Sequence, residues 1–438
     1  MEPAPDLTLQ GLTARLVESS KVISDCIAHN GLPEMSFDAN GPAQFPVPPT
    51  LPEAHIARLR LLEAAMLLER LVRGPIEAAN RVAAAHHDSA STRTLYRFDV
   101  FSAVPLDGEI AYAEIARTVG LDESRTRRIM QYAMTNGFFA ETKDGHVIHS
   151  AQSAAIARDE KLKAVIGHHV EDVYPAAGYP AARVTDQLSA QPIDDEEPTS
   201  SGFQLANKTD LTMFEYFEQV EPERAERFGL AMSSLSVPGG IFDGAHVLRA
   251  FDWAGLGVAT VVDVGGGRGH ISRLIAEANQ DLSFIVQDYA KTLATGEETL
   301  PASLRSRFEF MPHDFFAPQP DLSSRGKVVF YIRLILHDWP NKYCIRILRN
   351  LIPALKDGST ILVNETVLPP VGAVNMALEK LGRMVDMQML TCLNSRERTA
   401  QDYEELFTAG DTRFKLANIH QSPGSPLAIL EIRFSESK

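Results

Sequence analysis

Residues 260–270 read Thr260-Val261-Val262-Asp263-Val264-Gly265-Gly266-Gly267-Arg268-Gly269-His270, an apolar run that stops abruptly in glycines. A run of β-branched residues broken by one carboxylate reads as a buried strand. Glycines directly after it let the backbone turn tightly and approach a ligand that a Cβ would hold off. No Lys-Ser or Lys-Thr follows, which excludes a P-loop, and His270 stands where a dinucleotide fingerprint wants its third glycine. Downstream come a helical stretch from Ile271 to Asn279, a strand Phe284-Ile285-Val286, an apolar run from Phe308 to Met311, a strand from Lys327 to Tyr331, a helix from Lys342 to Leu355 and a strand from Thr360 to Val363. Alternation at this spacing predicts a doubly wound, Rossmann-like α/β sheet.

Two strand ends carry further chemistry. Asp288 closes the second strand, where a carboxylate can accept both hydroxyls of a ribose. Asp314-Phe315 follows the third strand and sets an acid beside an aromatic, suited to the amino group and the face of an adenine. In register, the glycine turn and these two edges describe a nucleoside site.

The 438 residues exceed one ordinary domain. Acidic residues outnumber basic ones 57 to 42, for a net charge of -15, which opposes phosphate backbones and anionic lipid and argues against nucleic-acid or membrane partners. No apolar run reaches membrane-spanning length and no secretory leader is visible. Cys26, Cys344 and Cys392 are too sparse for a disulfide framework or a zinc site, so the chain reads as cytoplasmic. The adjacent pairs His86-His87 and His168-His169 point to different sides of a helix and make poor ligand sets, so no metal is expected.

Ahead of the sheet, residues 1 to about 35 read as a helix, Gly41 to Pro52 as a Pro-rich linker, and Ala54 to about His86 as helix again. A helical entry with such a linker suits the wrapping of a partner subunit, or equally a solvated tail. From Leu106 to Ser150 a short helix, the turn Val119 to Asp122, a helix from Glu123 to Thr135 and a hairpin at Lys143-Asp144-Gly145 follow in winged-helix order. Arg125, Arg127 and Arg128 admit a DNA-reading role, but the acidic chain favours a packing module. Residues 189–202 read as an exposed loop. Organisation is thus 1–100 helical entry, 101–245 winged-helix-like module and connecting helices, and 246–438 nucleoside-binding domain. Phe214, Phe217 and Met232, with Met389 in the stretch from Met384 to Leu390, are core residues or the lining of a pocket for a flat apolar ligand.

Val262 to Gly269, His313-Asp314-Phe315-Phe316, Leu336-His337-Asp338-Trp339, Leu351 to Gly358, Asn364-Glu365, Asn394 to Thr399 and Gln421 to Ser425 occur in this order. Together they resemble the plant and fungal S-adenosylmethionine-dependent O-methyltransferases, and the last stretch is especially similar to those methylating fungal polyketides. The resemblance covers residues 258–434 strongly and extends more weakly to about residue 100. It implies a C-terminal class I methyltransferase sheet, an N-terminal helical domain that dimerises, and S-adenosylmethionine as cofactor. It assigns Asp263, Gly265 and Gly267 to the cofactor turn, Asp288 to its ribose, Asp314 and Phe315 to its adenine. Arg333 stands where plant members usually carry Lys.

The same resemblance makes His337 the general base, bracketed by Glu365 and Glu397. A phenol is mostly protonated at neutral pH, and an imidazole can take its proton as the oxygen attacks. Taken singly, Asp338 would be a helix N-cap beside a packed Trp339, Glu365 a surface acid at a strand end, and Glu397 the salt-bridge partner of Arg398. The activity implied is methyl transfer to a phenolic or enolic hydroxyl of a secondary metabolite, of polyketide type. The alternative is a pericyclic or dehydrating step on the same fold with the cofactor retained as a fixed positive charge; a DNA-binding regulator is a distant third.

Overall fold

The computed structural model describes residues 6–179, 197–235, 242–422 and 424–436. The chain forms two compact units whose segments alternate along the sequence. The first comprises Met1–Pro175, Phe217–Ser234 and Val374–Lys380, and the second Ala176–Tyr216, Leu235–Ala373 and Leu381–Lys438.

The second unit holds a seven-stranded sheet. Its strands are β4 (Ala259–Val264), β5 (Leu282–Asp288), β6 (Phe308–Pro312), β7 (Val328–Arg333), β8 (Thr360–Thr366), β9 (Phe414–Gln421) and β10 (Leu427–Phe434), in the order β6-β5-β4-β7-β8-β10-β9. The first five are parallel, and β10 enters antiparallel between β8 and β9. Because side chains alternate, β4 sends Val262 and Val264 to one face and Val261 to the other. The first face packs on the helices Asn341–Leu351 and Ala400–Gly410, the second on Ala245–Ala250 and His270–Ala278. Both faces are therefore dry, which explains strands with near-continuous apolar runs. The chain leaves β4 outward to β5 and β6, then returns to β7 on the other side. That reversal opens a crevice at the carboxyl ends of the strands.

The first unit is mainly helical. Helix Leu9–His29 starts at Thr8, whose hydroxyl accepts from Gly11 N–H at 3.1 Å. The irregular Pro-rich stretch ends where Pro52 opens the next helix, Pro52–Ala84. This helix is kinked where sequence predicts continuity. Gly74 takes φ 68°, ψ 169°, and Pro75 offers no N–H to the preceding turn. The helix ends at Ala84, close to the expected His86, and a second helix, His86–Arg97, follows at once. Helices Tyr112–Val119 and Glu123–Met134 are followed by a hairpin of β2 (Ala140–Glu141) and β3 (His146–Ile148), and β1 (Ile110–Ala111) adds to β3.

Of the loop expected at 189–202, residues 189–196 lie outside the described residues. The described end is not exposed: Ser201 is buried, its hydroxyl donates to Cys392 O at 2.8 Å, and it opens the helix Gly202–Asn207 with a capping box completed by Gln204. Among the described residues no helix is long and apolar enough to cross a membrane, and none of their His, Cys, Asp and Glu groups is arranged to hold a metal ion.

Candidate active site

The carboxyl edge of the sheet gathers the residues singled out in sequence. After β4, Gly265, Gly267 and Gly269 take φ of 69°, 59° and 72°, values that disfavour any side chain. A Cβ on Gly265 would stand 2.6 Å from Ile335 Cδ1. Asp263 lies beneath this turn, 3 % exposed, and Ser272 Oγ donates to it at 2.6 Å. Burial raises its carboxyl to about 6. Asp263 thus props the turn from below.

Asp288, at the end of β5, accepts Gly267 N–H at 2.9 Å and its neighbour Tyr289 N–H at 2.7 Å. Burial raises its pKa, while these bonds pull the other way. Asp314 is exposed, with one oxygen accepting Phe316 N–H at 2.8 Å, and Phe315 stands edge-on to Phe316 and Trp339. The loop carrying them is tied to β5 by a reciprocal amide pair, Gln287 and Gln319, with both bonds at 2.8 Å and both side chains buried. Arg333, at the end of β7, donates to Asn364 Oδ1 and, at 3.0 Å, to Phe242 O, so its guanidinium is committed to protein.

His337 sits on a short 3-10 turn, Leu336–Asp338, just past β7. Leu334 delivers that turn by adopting φ 51°, a strained value for a residue with a Cβ. Glu365, fully buried near the end of β8, uses Oε1 to accept Ile335 N–H at 2.8 Å and Leu336 N–H at 2.7 Å. Glu365 is therefore a buried clamp and not the surface acid that its strand-end position taken alone would suggest, because β8 is covered on both faces. His337 Nδ1 lies 2.8 Å from Glu397 Oε1, and Nε2 lies 3.5 Å from Asp338 Oδ1. Asp338 caps no helix; the next one begins at Asn341 with Pro340 before it.

Burial works against an imidazolium here, but Asp338, Glu397 and Glu365 outweigh it and hold His337 up at about 10. Burial, opposed by the His337 cation and aided by Glu397, pushes Glu365 up to about 7. Among the described residues, the buried Glu365 Oε2 and Glu397 Oε2 find no hydrogen-bond partner. Folding raises the His337 pKa from 6.5, so its stabilising contribution is complete below pH 6.5 and is lost as pH climbs towards 10. In thermal melts over that window, His337→Gln is expected to flatten the alkaline decline of Tm; equal slopes for both proteins would contradict it.

The apolar residues divide. Phe214 stands 6.5 Å from Trp339, inside an aromatic group with Phe315, Phe316 and Tyr343. Phe217 is packed in the first unit, 2 % exposed, against Phe228 and under the guanidinium of Arg224. Met389 is likewise buried, on the helix Met376–Leu393, and Met232 is half-buried on the helix Pro222–Leu235. Sequence reasoning missed Gln319, which carries no local signal, and gave Arg398 no role beyond an ion pair with Glu397. That residue does not serve Glu397 but donates to the backbone of the His337 turn.

The residues present fit an adenosyl sulfonium cofactor: a left-handed glycine turn at the end of β4, a carboxylate held at the end of β5, and an acid beside an aromatic ring. Residues 201–411 match the family model described as an O-methyltransferase domain. The chain is 33 % identical over 423 residues to the grayanic acid biosynthesis cluster O-methyltransferase of Cladonia grayi, covering 96 % of this chain and 86 % of that one. Among solved structures, OxaC in complex with sinefungin and meleagrin shares the fold with a TM-score of 0.76 at 22 % identity, over 99 % of this chain and all of that one. A protein described as a pericyclic reaction enzyme gives 0.71 at 22 % identity, over 97 % and 100 %. On sequence and fold together, the chain belongs to the O-methyltransferase family and is an S-adenosylmethionine-dependent enzyme of it.

Proposed function

We propose that the enzyme methylates a phenolic or enolic hydroxyl of a small secondary metabolite, of polyketide type, with His337 taking the hydroxyl proton. The observation that carries this reading is the imidazole itself, buried and fixed through Nδ1 to Glu397 at 2.8 Å. With Nδ1–H given to that carboxylate, Nε2 is the nitrogen left for the substrate proton. Asp338 and Glu397 flank the cation that results, and Glu365 holds the turn through two backbone N–H groups. The glycine turn, Asp288, Asp314 and Phe315 hold S-adenosylmethionine, which when bound supplies a methyl group on a positively charged sulfur. Phe214 and Trp339 offer aromatic surface for a flat substrate.

In the first unit, the helix pair and its three-stranded sheet act as a winged-helix-like packing module. The exposed Leu71, Val72, Ile76 and Val82 of helix Pro52–Ala84 suit pairing with a second copy.

The fold also serves a pericyclic enzyme, but ring closure has no need of a proton acceptor set among three carboxylates. Purified enzyme is to be incubated with methyl-labelled S-adenosylmethionine and a panel of phenolic and enolic polyketides. A product one CH₂ heavier and carrying the label supports the proposal. An isomerised or dehydrated product without label would replace it with the pericyclic reading.

A further inference from the structure

We infer that Arg398 is a positioning residue for the reaction: its guanidinium fixes the turn 336–341 from one side and thereby sets where the His337 ring stands. This rests on the reading of His337 given above.

Arg398 is the largest fully buried side chain of the described residues, at 0 % exposure. A guanidinium taken wholly out of water must use its donors or destabilise the fold. Its donors converge on one short stretch of chain. Nη1 donates to Leu336 O at 2.7 Å, Nη2 to Trp339 O at 2.9 Å, and Nε and Nη2 reach Asn341 Oδ1 at 3.1 and 2.9 Å. The thiol of Cys344 lies 3.4 Å from Nη2. The acceptors are neutral, so the cation is not there to satisfy a carboxylate; it is spent on the shape of the turn.

The opposite side of the same turn belongs to Glu365. Leu336 gives its N–H to Glu365 and its C=O to Arg398, and His337 is the next residue. One carboxyl group and one guanidinium thus grip the two polar edges of a single peptide segment, just past the strained Leu334. Arg398 is itself anchored through its main chain, since its C=O accepts Leu368 N–H at 2.9 Å and it bridges Val367 in parallel. Successive residues in such an extended segment point to opposite sides. Glu397 can therefore hold the imidazole while Arg398 holds the backbone beneath it, and a displacement of the dipeptide moves both.

The test uses the full chain labelled with ¹⁵N-histidine, with the His337 signal assigned by its loss in His337→Gln. The groups that set its titration are Asp338, Glu365 and Glu397. In Arg398→Lys, which keeps the charge but loses the planar fork, the His337 midpoint is expected to fall by about one pH unit or more as its carboxylates lose register. His149 and His270, whose titration is set by other groups, should titrate as in the parent. With a hydroxyl substrate found by the labelling experiment, kcat should fall about 10- to 100-fold while KM stays within about threefold. A folded Arg398→Lys with an unmoved His337 midpoint overturns the inference. If that variant does not fold, Asn341→Ala, which removes the acceptor of two of the bonds, decides by the same signal: a smaller shift in the same direction supports it, and none overturns it. If His337→Ala keeps full kcat, the base reading fails by itself, because the titration of Arg398→Lys does not depend on turnover.

Discussion

Alanine in place of His337 is expected to lower kcat by about 10²- to 10⁴-fold, the usual worth of a positioned general base. The ring is held by Glu397 and faces Asp338, so affinity for S-adenosylhomocysteine should stay within about threefold of the parent by calorimetry. Because three carboxylates hold the proton on the ring up to about pH 10, the neutral form able to accept a proton is scarce at pH 7. The parent's kcat should accordingly rise with pH above neutrality, and the residual rate of His337→Ala should lack that limb. Glu397→Gln separates charge from geometry: the amide can still take the Nδ1–H bond, but the ring loses a carboxylate and becomes a weaker base. Retention of more than a tenth of kcat by His337→Ala would sink the assignment.

Asp288→Ala is expected to weaken S-adenosylhomocysteine binding by about 100-fold or more. Each hydrogen bond to a charged group is worth about 1.5–3 kcal/mol, and a ribose presents two hydroxyls to this carboxylate. The substitution also releases Gly267 N–H, so the glycine turn loses a tether at the moment the ligand loses its acceptor. Asp288→Asn, which keeps one acceptor oxygen, should fall between the two. Since burial already opposes ionisation at this position, neither variant is expected to lower Tm substantially. Calorimetric affinity unchanged within threefold for Asp288→Ala would remove Asp288 from the cofactor site.

The sheet was legible because β4, β5 and β7 are buried on both faces and so announce themselves as apolar runs with polar residues at one end. Asp288 could be placed on the page for the same reason. His337, Glu365 and Glu397 come from three separate segments, and no periodicity links them; only their order in the family pattern joined them before the structure did. Arg398 shows what adjacency conceals. Glu397-Arg398 looks like a neighbouring ion pair, yet the parallel bridge to Val367 fixes an extended backbone that sends the two side chains apart. The break at Gly74-Pro75 was written in the sequence, but the surrounding Ala, Leu and Glu residues favour helix strongly enough to hide it. Gln287 and Gln319, by contrast, lie 32 residues apart with no motif between them.

Strand β8 carries a burden during synthesis. All seven of its residues are buried in the finished sheet, and one of its two neighbours is β10, made after two helices and β9 have emerged. Until then β8 is a bare edge with apolar residues on both faces, and β9 has nothing to pair with, because its only partner in the sheet is β10. A chain paused on the ribosome between Thr366 and Leu427 therefore exposes a template for pairing with its neighbours. Fast translation of the stretch from Thr366 to Leu427 shortens the time for which this edge stays open.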